Sequence, residues 1–167
     1  MAVDDAFRRW WDEDFSWEGL AQKPWIDGPK GKTLQDYWAG ETLLQFAGKR
    51  WTRFHLPLHD RQGSPSGKDG QSYPGMQPWA PERITELHHD IIARAESGAK
   101  EGALPAALDG IVTAQDISFA QRTINASFRF STFVGRADFE ATVFAGAAYF
   151  QFATFTGFAI FGPAMFA

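Results

Sequence analysis

An eleven-residue repeat near the C-terminal end constrains the fold of this chain more than any other feature. The repeat aligns without gaps as residues 126–136, 137–147, 148–158 and 159–167. Its first position is always Ala, its third and eighth are always Phe, and its tenth is Gly in each complete copy. The sixth position is Ser, Thr or Ala. Matches that recur in phase indicate units that stack on one another and bury a shared core.

Each half of the repeat places a small residue two positions before a Phe. Residues two apart in an extended chain point to the same side, so both side chains can face inward. The next Phe follows after five or six residues, so both rings are interior only if the chain turns a corner between them. Four such sides close a turn of two repeats, or 22 residues. This spacing predicts four ring stacks: Phe128 with Phe150, Phe133 with Phe155, Phe139 with Phe161, and Phe144 with Phe166.

The predicted core and corners follow from the same alignment. The core consists of the inward-facing small residues and rings: Ala126, Phe128, Phe133, Ala137, Phe139, Phe144, Ala148, Phe150, Phe155, Ala159, Phe161 and Phe166. Gly135, Gly146 and Gly157 fall in the six-residue links. An extra residue at a corner is accommodated most easily in a left-handed conformation, which glycine adopts without steric cost.

On these columns, the tail resembles the pentapeptide-repeat family, in which a small residue lies two positions before a central Leu or Phe. The resemblance covers roughly a quarter of the chain, and its alternating spacing of five and six departs from a strict five-residue repeat. It implies a right-handed quadrilateral β-helix, a β-solenoid, over 126–167. We expect residues 101–125 to be a connector and solenoid cap, with 115–125 as an irregular preceding side.

The N-terminal region differs in composition, because all seven Trp lie between Trp10 and Trp79 while most Phe follow residue 118. We predict a small α+β region over 1–100. Its expected elements are a helix over 6–11, a helix start with a capping box over 33–36, a hairpin of 43–46 with 51–56, a long mobile loop over 59–78, and a helix from Pro81 that closes at 97–98. The last helix has an apolar face of Ile84, Leu87, Ile91, Ile92 and Ala95.

Composition excludes some functions and disfavours others. The chain has no Cys, so disulfides and thiol chemistry are excluded. A net charge of −4 supplies no broad attraction for nucleic acid or an anionic membrane. The uncharged stretch over 141–167 is long enough to cross a bilayer as a helix, but its repeat columns, its Gly, Thr and Pro163, and its lack of Leu argue against that. Without a signal-type start, we expect a cytoplasmic protein.

Several polar groups resemble functional motifs, but none supports a catalytic, metal or cofactor site. His55 and His59 have the spacing of helical zinc ligands, yet Pro57 lies between them. His88 is expected to border the apolar helix face, with His89 in solvent. The Gly-rich segment over 63–69 is one residue short of a phosphate loop. Trp and Arg side chains over 8–17 are interleaved with acidic residues, which would repel phosphates.

The sequence therefore predicts a non-enzymatic protein that acts as a structural or protein-binding scaffold. A partner surface is expected at Phe130, Tyr149, Phe152 and Phe158, where outward positions are aromatic. Because the last repeat stops at its ninth residue without a polar cap, we expect a longer protein or end-to-end association. The family resemblance adds an alternative, a DNA-mimicking modulator of a topoisomerase such as gyrase, if longer acidic coils follow. Residues 126–167 themselves have zero formal charge. A second alternative is an enzyme formed by the Trp-rich region, with no nameable catalytic residue.

Overall fold

The computed structural model describes residues 14–46, 48–56, 79–146 and 148–166. Several predicted features lie outside these residues. They are the helix over 6–11, most of the Trp and Arg cluster, His59, the loop over 59–78 and the Gly-rich segment over 63–69.

Two short helices open the described chain, and each begins at a side chain that caps it. Helix α1, Trp17–Leu20, starts after Ser16, whose Oγ accepts the N–H of Gly19. Helix α2, Leu34–Tyr37, starts at the predicted capping box, which is confirmed. There the N–H of Thr33 donates to Oδ2 of Asp36 at 2.7 Å, and the N–H of Asp36 donates to Oγ1 of Thr33 at 3.4 Å. Together these bonds satisfy backbone groups that a helix start leaves unpaired.

An antiparallel hairpin follows, with β1 at Leu43–Phe46 and β2 at Lys49–Thr52. The predicted second strand, residues 51–56, differs from the observed one, which begins two residues earlier and ends at Thr52. The reason is local. Oγ1 of Thr52 accepts the N–H groups of both Phe54 and His55 at 3.2 Å, which turns the chain.

Helix α3, Pro81–Gly98, has Pro in its first turn and matches the predicted helix. It buries Ile84, Leu87, Ile91 and Ala95. Gly98 ends the helix where a Cβ atom would lie 2.1 Å from the carbonyl oxygen of Asn125, so the chain can pass there only as glycine. Within the described residues, no helix combines the length and apolar character that crossing a bilayer requires. Residues 14–46, 48–56 and 79–98 are called the head below.

After α3 come ten strands of two residues each, which pair only in parallel. They are β3 Ala106–Ala107, β4 Ile117–Ser118, β5 Thr123–Ile124, β6 Ala126–Ser127, β7 Thr132–Phe133, β8 Ala137–Asp138, β9 Val143–Phe144, β10 Thr154–Phe155, β11 Ala159–Ile160 and β12 Met165–Phe166. In the described chain they form four parallel sheets: β3-β6, β7-β10, β4-β8-β11 and β5-β9-β12. We call residues 106–125 the first layer, 126–146 the second and 148–166 the third.

The register between layers is regular. Ala106 pairs with Ala126 and Ile117 with Ala137, an offset of 20 residues between the first and second layers. Ala137 pairs with Ala159, an offset of 22 between the second and third. The chain therefore passes the same four sides in each layer.

The paired layers begin at Ala106, twenty residues before the predicted boundary at 126. Residues expected to be a connector and an irregular side form a layer of their own. Its inward positions hold Leu108, Thr113, Phe119 and Ile124, all fully buried, at the spacing of the later Phe rings. The corner from Ile124 to Phe128 spans four positions, whereas the later corner from Phe144 to Phe150 spans six. This shorter corner lies where Asn125 meets α3, and it breaks the phase of the repeat.

The four ring stacks inferred from the repeat are present in the structure. Their centroids are 5.2 Å apart for Phe128 with Phe150, 4.9 Å for Phe133 with Phe155, 4.9 Å for Phe139 with Phe161 and 4.8 Å for Phe144 with Phe166. Phe119 continues one stack into the first layer, 5.0 Å from Phe139. These separations are close to the spacing of neighbouring β-strands, about 4.7–4.9 Å, because stacked rings follow the strands that carry them.

The corner glycines do not all behave alike. Gly135 and Gly146 have φ of +79° and +91°, in the left-handed region as expected. The backbone of Gly157 is not in the left-handed region. Glycine is needed there because the chain passes close to the second layer, where a Cβ atom would lie 2.4 Å from the carbonyl oxygen of Gly135.

Candidate interaction surface

The third layer exposes rings that the second layer buries. In the second layer, the predicted core residues Ala126, Phe128, Phe133, Ala137, Phe139 and Phe144 are all buried. In the third, Phe161 is 37% exposed and Phe166 is 67% exposed. Phe150, Phe155 and Ala148 are half-buried, and Ala159 is exposed. The four rings stack on rings of the second layer, and no described residue lies on their outer side.

Phe161 and Phe166 are each covered on one face only. The two rings stack nearly parallel on Phe139 and Phe144, with interplanar angles of 5° and 8°. No described ring lies on the opposite faces, so the outer side of the third layer is a row of aromatic faces. Exposed apolar patches of this kind mark interaction sites in soluble proteins.

The backbone of the third layer also has no described strand beside it on that side. In the second layer, the N–H groups of Phe128 and Phe139 donate to the carbonyl groups of Tyr149 and Ile160 at 2.8 and 2.7 Å. By the same register, the N–H groups of Phe150 and Phe161 point away from the second layer. A row of such groups is a template for pairing with another β-strand.

The structure separates the four residues of the predicted partner surface into two that are exposed and two that are half-buried. Phe152 and Phe158 are exposed, at 53% and 82%, but they precede different strands, β10 and β11. Phe130 is half-buried, with its ring centroid 5.9 Å from that of Phe15 and 5.3 Å from that of Phe152. Tyr149 is half-buried beneath the guanidinium of Arg129, which lies 3.9 Å from its ring centroid. Phe130 and Tyr149 thus pack within the molecule.

Charge does not oppose contact at the third layer, because residues 148–166 include no Asp, Glu, Lys or Arg. Two such faces, or this face and a neutral partner, would meet without the cost of desolvating a charge.

A buried polar cluster joins the head to the first two layers. The carboxylate of Asp109 accepts hydrogen bonds from Oγ of Ser127 and, at 3.0 Å, from the N–H of Arg129. Nη1 of Arg129 lies 3.9 Å from Asp109 and 3.4 Å from Asp27. Burial raises the pKa of the Asp109 carboxyl, and the bonds from Ser127 and Arg129 only partly offset it. The cluster therefore connects the head with the first two layers, while burial disfavours the charged form of the Asp109 carboxyl.

His55 lies beside this cluster with both ring nitrogens engaged. Its Nε2 lies 3.0 Å from the carbonyl oxygen of Asp109, which can only accept, so Nε2 carries the proton. Its Nδ1 lies 2.7 Å from Oγ1 of Thr52 and, in this tautomer, accepts a hydrogen bond from that hydroxyl. Within the described residues, no group of three or more His, Cys, Asp or Glu side chains is placed to hold a metal ion.

A groove of about 620 Å³ lies between α3, the end of α2 and the link to the first layer. Its charged wall is a row in which Arg94 donates to Glu41 at 2.6 Å, and Arg53 lies between Glu41, at 4.0 Å, and Asp90, to which it donates. The guanidinium of Arg94 also lies 4.4 Å from the Trp38 ring centroid. Two cations balance two anions, so this row fastens α3 to α2 and the hairpin.

Sequence reasoning missed two of these features, one on the third layer and one at the junction with the head. The exposure of Phe161 and Phe166 could not be predicted from the repeat, because the repeat has Phe at the same positions in the layers where the rings are buried. The Asp109 cluster joins segments as distant as Asp27 and Arg129, and no local motif marks it.

Comparison with family models, with curated proteins and with solved structures found no match to this chain.

Proposed function

We propose that this chain is a non-enzymatic pentapeptide-repeat protein whose layered region is a solenoid scaffold that binds protein through the outer side of its third layer. The observation that carries the proposal is the pair of one-sided rings, Phe161 and Phe166, on a layer whose outward backbone groups have no described layer beside them. The parallel registers of 20 and 22 residues support the solenoid part. We also propose a cytoplasmic location, with which the absence of Cys is consistent.

Protein is the class of partner that this surface fits best. The N–H groups along an open β-layer are met by the carbonyl groups of another strand, and the aromatic faces are covered by apolar side chains. Nucleic acid would require Lys and Arg, and the third layer has neither. In the purified protein, the available partner is the same face of a second copy.

The test is the molar mass in solution, measured by light scattering over a wide concentration range. We expect the wild-type chain to associate, and F161E to weaken that association by at least about tenfold because it places a charge on an apolar face. The matched control is F158E, which alters the most exposed Phe outside the inward row and should associate like wild type. A wild-type chain that stays monomeric throughout, or equal loss in both variants, would contradict the proposal.

A further inference from the structure

The head occupies the outer edge of the first layer. It bonds first-layer groups whose equivalents, twenty residues later, bond the first layer in the same way. The N–H of Val112 donates to the carbonyl of Phe54 at 2.8 Å. Twenty residues later, the N–H of Thr132 donates to the first-layer carbonyl of Ile111 at the same 2.8 Å. Phe54, in the turn after β2, therefore occupies the place that a preceding layer would fill.

A second position uses a side chain from α3. The N–H of Ala114 donates to Nε2 of His88 at 3.3 Å. Twenty residues on, the N–H of Val134 donates to Oγ1 of Thr113, a first-layer side chain, at 3.0 Å. His88 is half-buried, whereas its neighbour His89 is exposed. The helix thus turns one of its two adjacent histidines toward the layer edge.

A third position uses the backbone of α3. The N–H of Asn125 donates to the carbonyl of Ala95 at 3.0 Å, and its equivalent Ala145 donates to Ile124 at 2.8 Å. Ala95 is the last apolar side chain on the buried face of α3, and Gly98 lets the helix end approach Asn125.

At the fourth position the direction of the bond is reversed. The carbonyl of Asp109 accepts from Nε2 of His55 at 3.0 Å. Its equivalent, the carbonyl of Arg129, accepts the N–H of Gly110 in the first layer at 2.8 Å. His55 supplies the donor that a preceding strand would supply, which explains why a histidine is fully enclosed there.

We propose that the head is an end cap that substitutes for a preceding layer at these four register-equivalent positions. Solenoids need protected ends, because an uncovered layer exposes both apolar core and unpaired backbone. The inward residues beneath the cap, Leu108, Ile111 and Thr113, are fully buried, in contrast to the inward rings of the third layer. The cap leaves layers free to add only at the third-layer side, so stacking is one-ended.

Hydrogen exchange of individual amides tests the cap independently of any partner. In H88A the amide of Ala114 loses its acceptor, and we expect its exchange to become about tenfold faster than in wild type. The amide of Val134, bonded within the layers, should be unchanged in the same sample. H89A is the matched control, and H88Q, which restores an acceptor near the position of Nε2, should recover much of the protection.

The molar mass in solution tests whether copies associate only through the third layer. Wild-type assemblies should not exceed two copies, because two third layers can meet only once. Unchanged exchange at Ala114 in H88A, or an open-ended series of masses in wild type, would overturn the cap. A protein that remains monomeric while H88A frees the Ala114 amide would contradict the proposed binding face and still support the cap, so the two proposals fail separately.

Discussion

The two edges of the layered region have the same repeat geometry and opposite surroundings. Phe119 in the first layer and Phe161 in the third stack on the two faces of Phe139, at 5.0 and 4.9 Å. Phe119 is fully buried and Phe161 is not. The difference comes from what lies beyond each layer: the head covers one edge, and no described residue covers the other. We therefore expect the contribution of each ring to stability to depend more on whether both of its faces are covered than on its residue type.

The largest expected effect is the contrast between a central ring and an edge ring. F139A removes a fully buried ring that contacts rings on both sides and should lower the free energy of unfolding by about 3–5 kcal/mol. F161A removes a ring covered on one face and should cost about 1 kcal/mol. Urea denaturation of the two variants measures the difference. Equal losses would mean that the third layer is as enclosed as the second.

A smaller effect is expected at the corner between two sides of the second layer. Gly135 has a left-handed backbone, and a Cβ atom there would lie 2.5 Å from Oδ1 of Asp116, which accepts the N–H of Arg136. We expect G135A to cost about 2–3 kcal/mol from strain and collision together. The control is G31A in the head, where φ is also left-handed but the space is open, and the cost should be about 1 kcal/mol. Equal thermal shifts would exclude the collision.

The junction between head and layers should respond to pH through Asp109. Burial raises the pKa of this carboxyl in the folded state, so the folded protein holds the proton more tightly than the unfolded chain. Its contribution to stability is greatest below the unfolded pKa and declines as pH rises toward the raised folded value. The stability of D109N relative to wild type should therefore increase across that interval and level off above it. Denaturation at several pH values measures this, and a gap that narrows with rising pH would contradict it.

The smallest effect is expected at Phe158, which is more exposed than any other large apolar residue in the described chain. F158S should change the free energy of unfolding by less than about 0.5 kcal/mol, because little of the ring is buried in the folded state. If calorimetry showed that F158S lowers the free energy of unfolding by more than about 1 kcal/mol, the Phe158 ring would be covered. The binding face would then lie at the corner that carries Phe158 instead of on the outer side of the third layer.

Much of the local structure could be predicted from sequence where the signal was periodic or short-range. The eleven-residue period identified the ring pairs, the apolar spacing identified α3, and the Thr33 to Asp36 motif identified the start of α2. The sequence predicts residues 115–125 only as an irregular preceding side. The complete first layer was missed because Leu108, Thr113 and Ile124 replace Phe, and because the short corner at Asn125 shifts the phase. That corner depends on contact with α3, which is a tertiary effect.

The candidate surface was less predictable for a physical reason. A repeat shows which way a side chain points, but exposure depends on whether another layer follows. The predicted partner residues Phe130 and Tyr149 are half-buried by Phe15 and Arg129, which belong to other segments of the chain. The docking of the head likewise rests on His55 reaching Asp109, 54 residues away.

Residue-resolved hydrogen exchange of the wild-type monomer, at concentrations too low for association, tests the central contrast most directly. We expect strong protection of the outward amides of the first layer, those of Val112, Ala114 and Asn125, which the head covers. We expect exchange at least about a hundredfold faster for the outward amides of the third layer, those of Phe150 and Phe161. Equal protection at the two edges, or faster exchange at the first layer, would contradict a region capped by the head at one edge and open at the other.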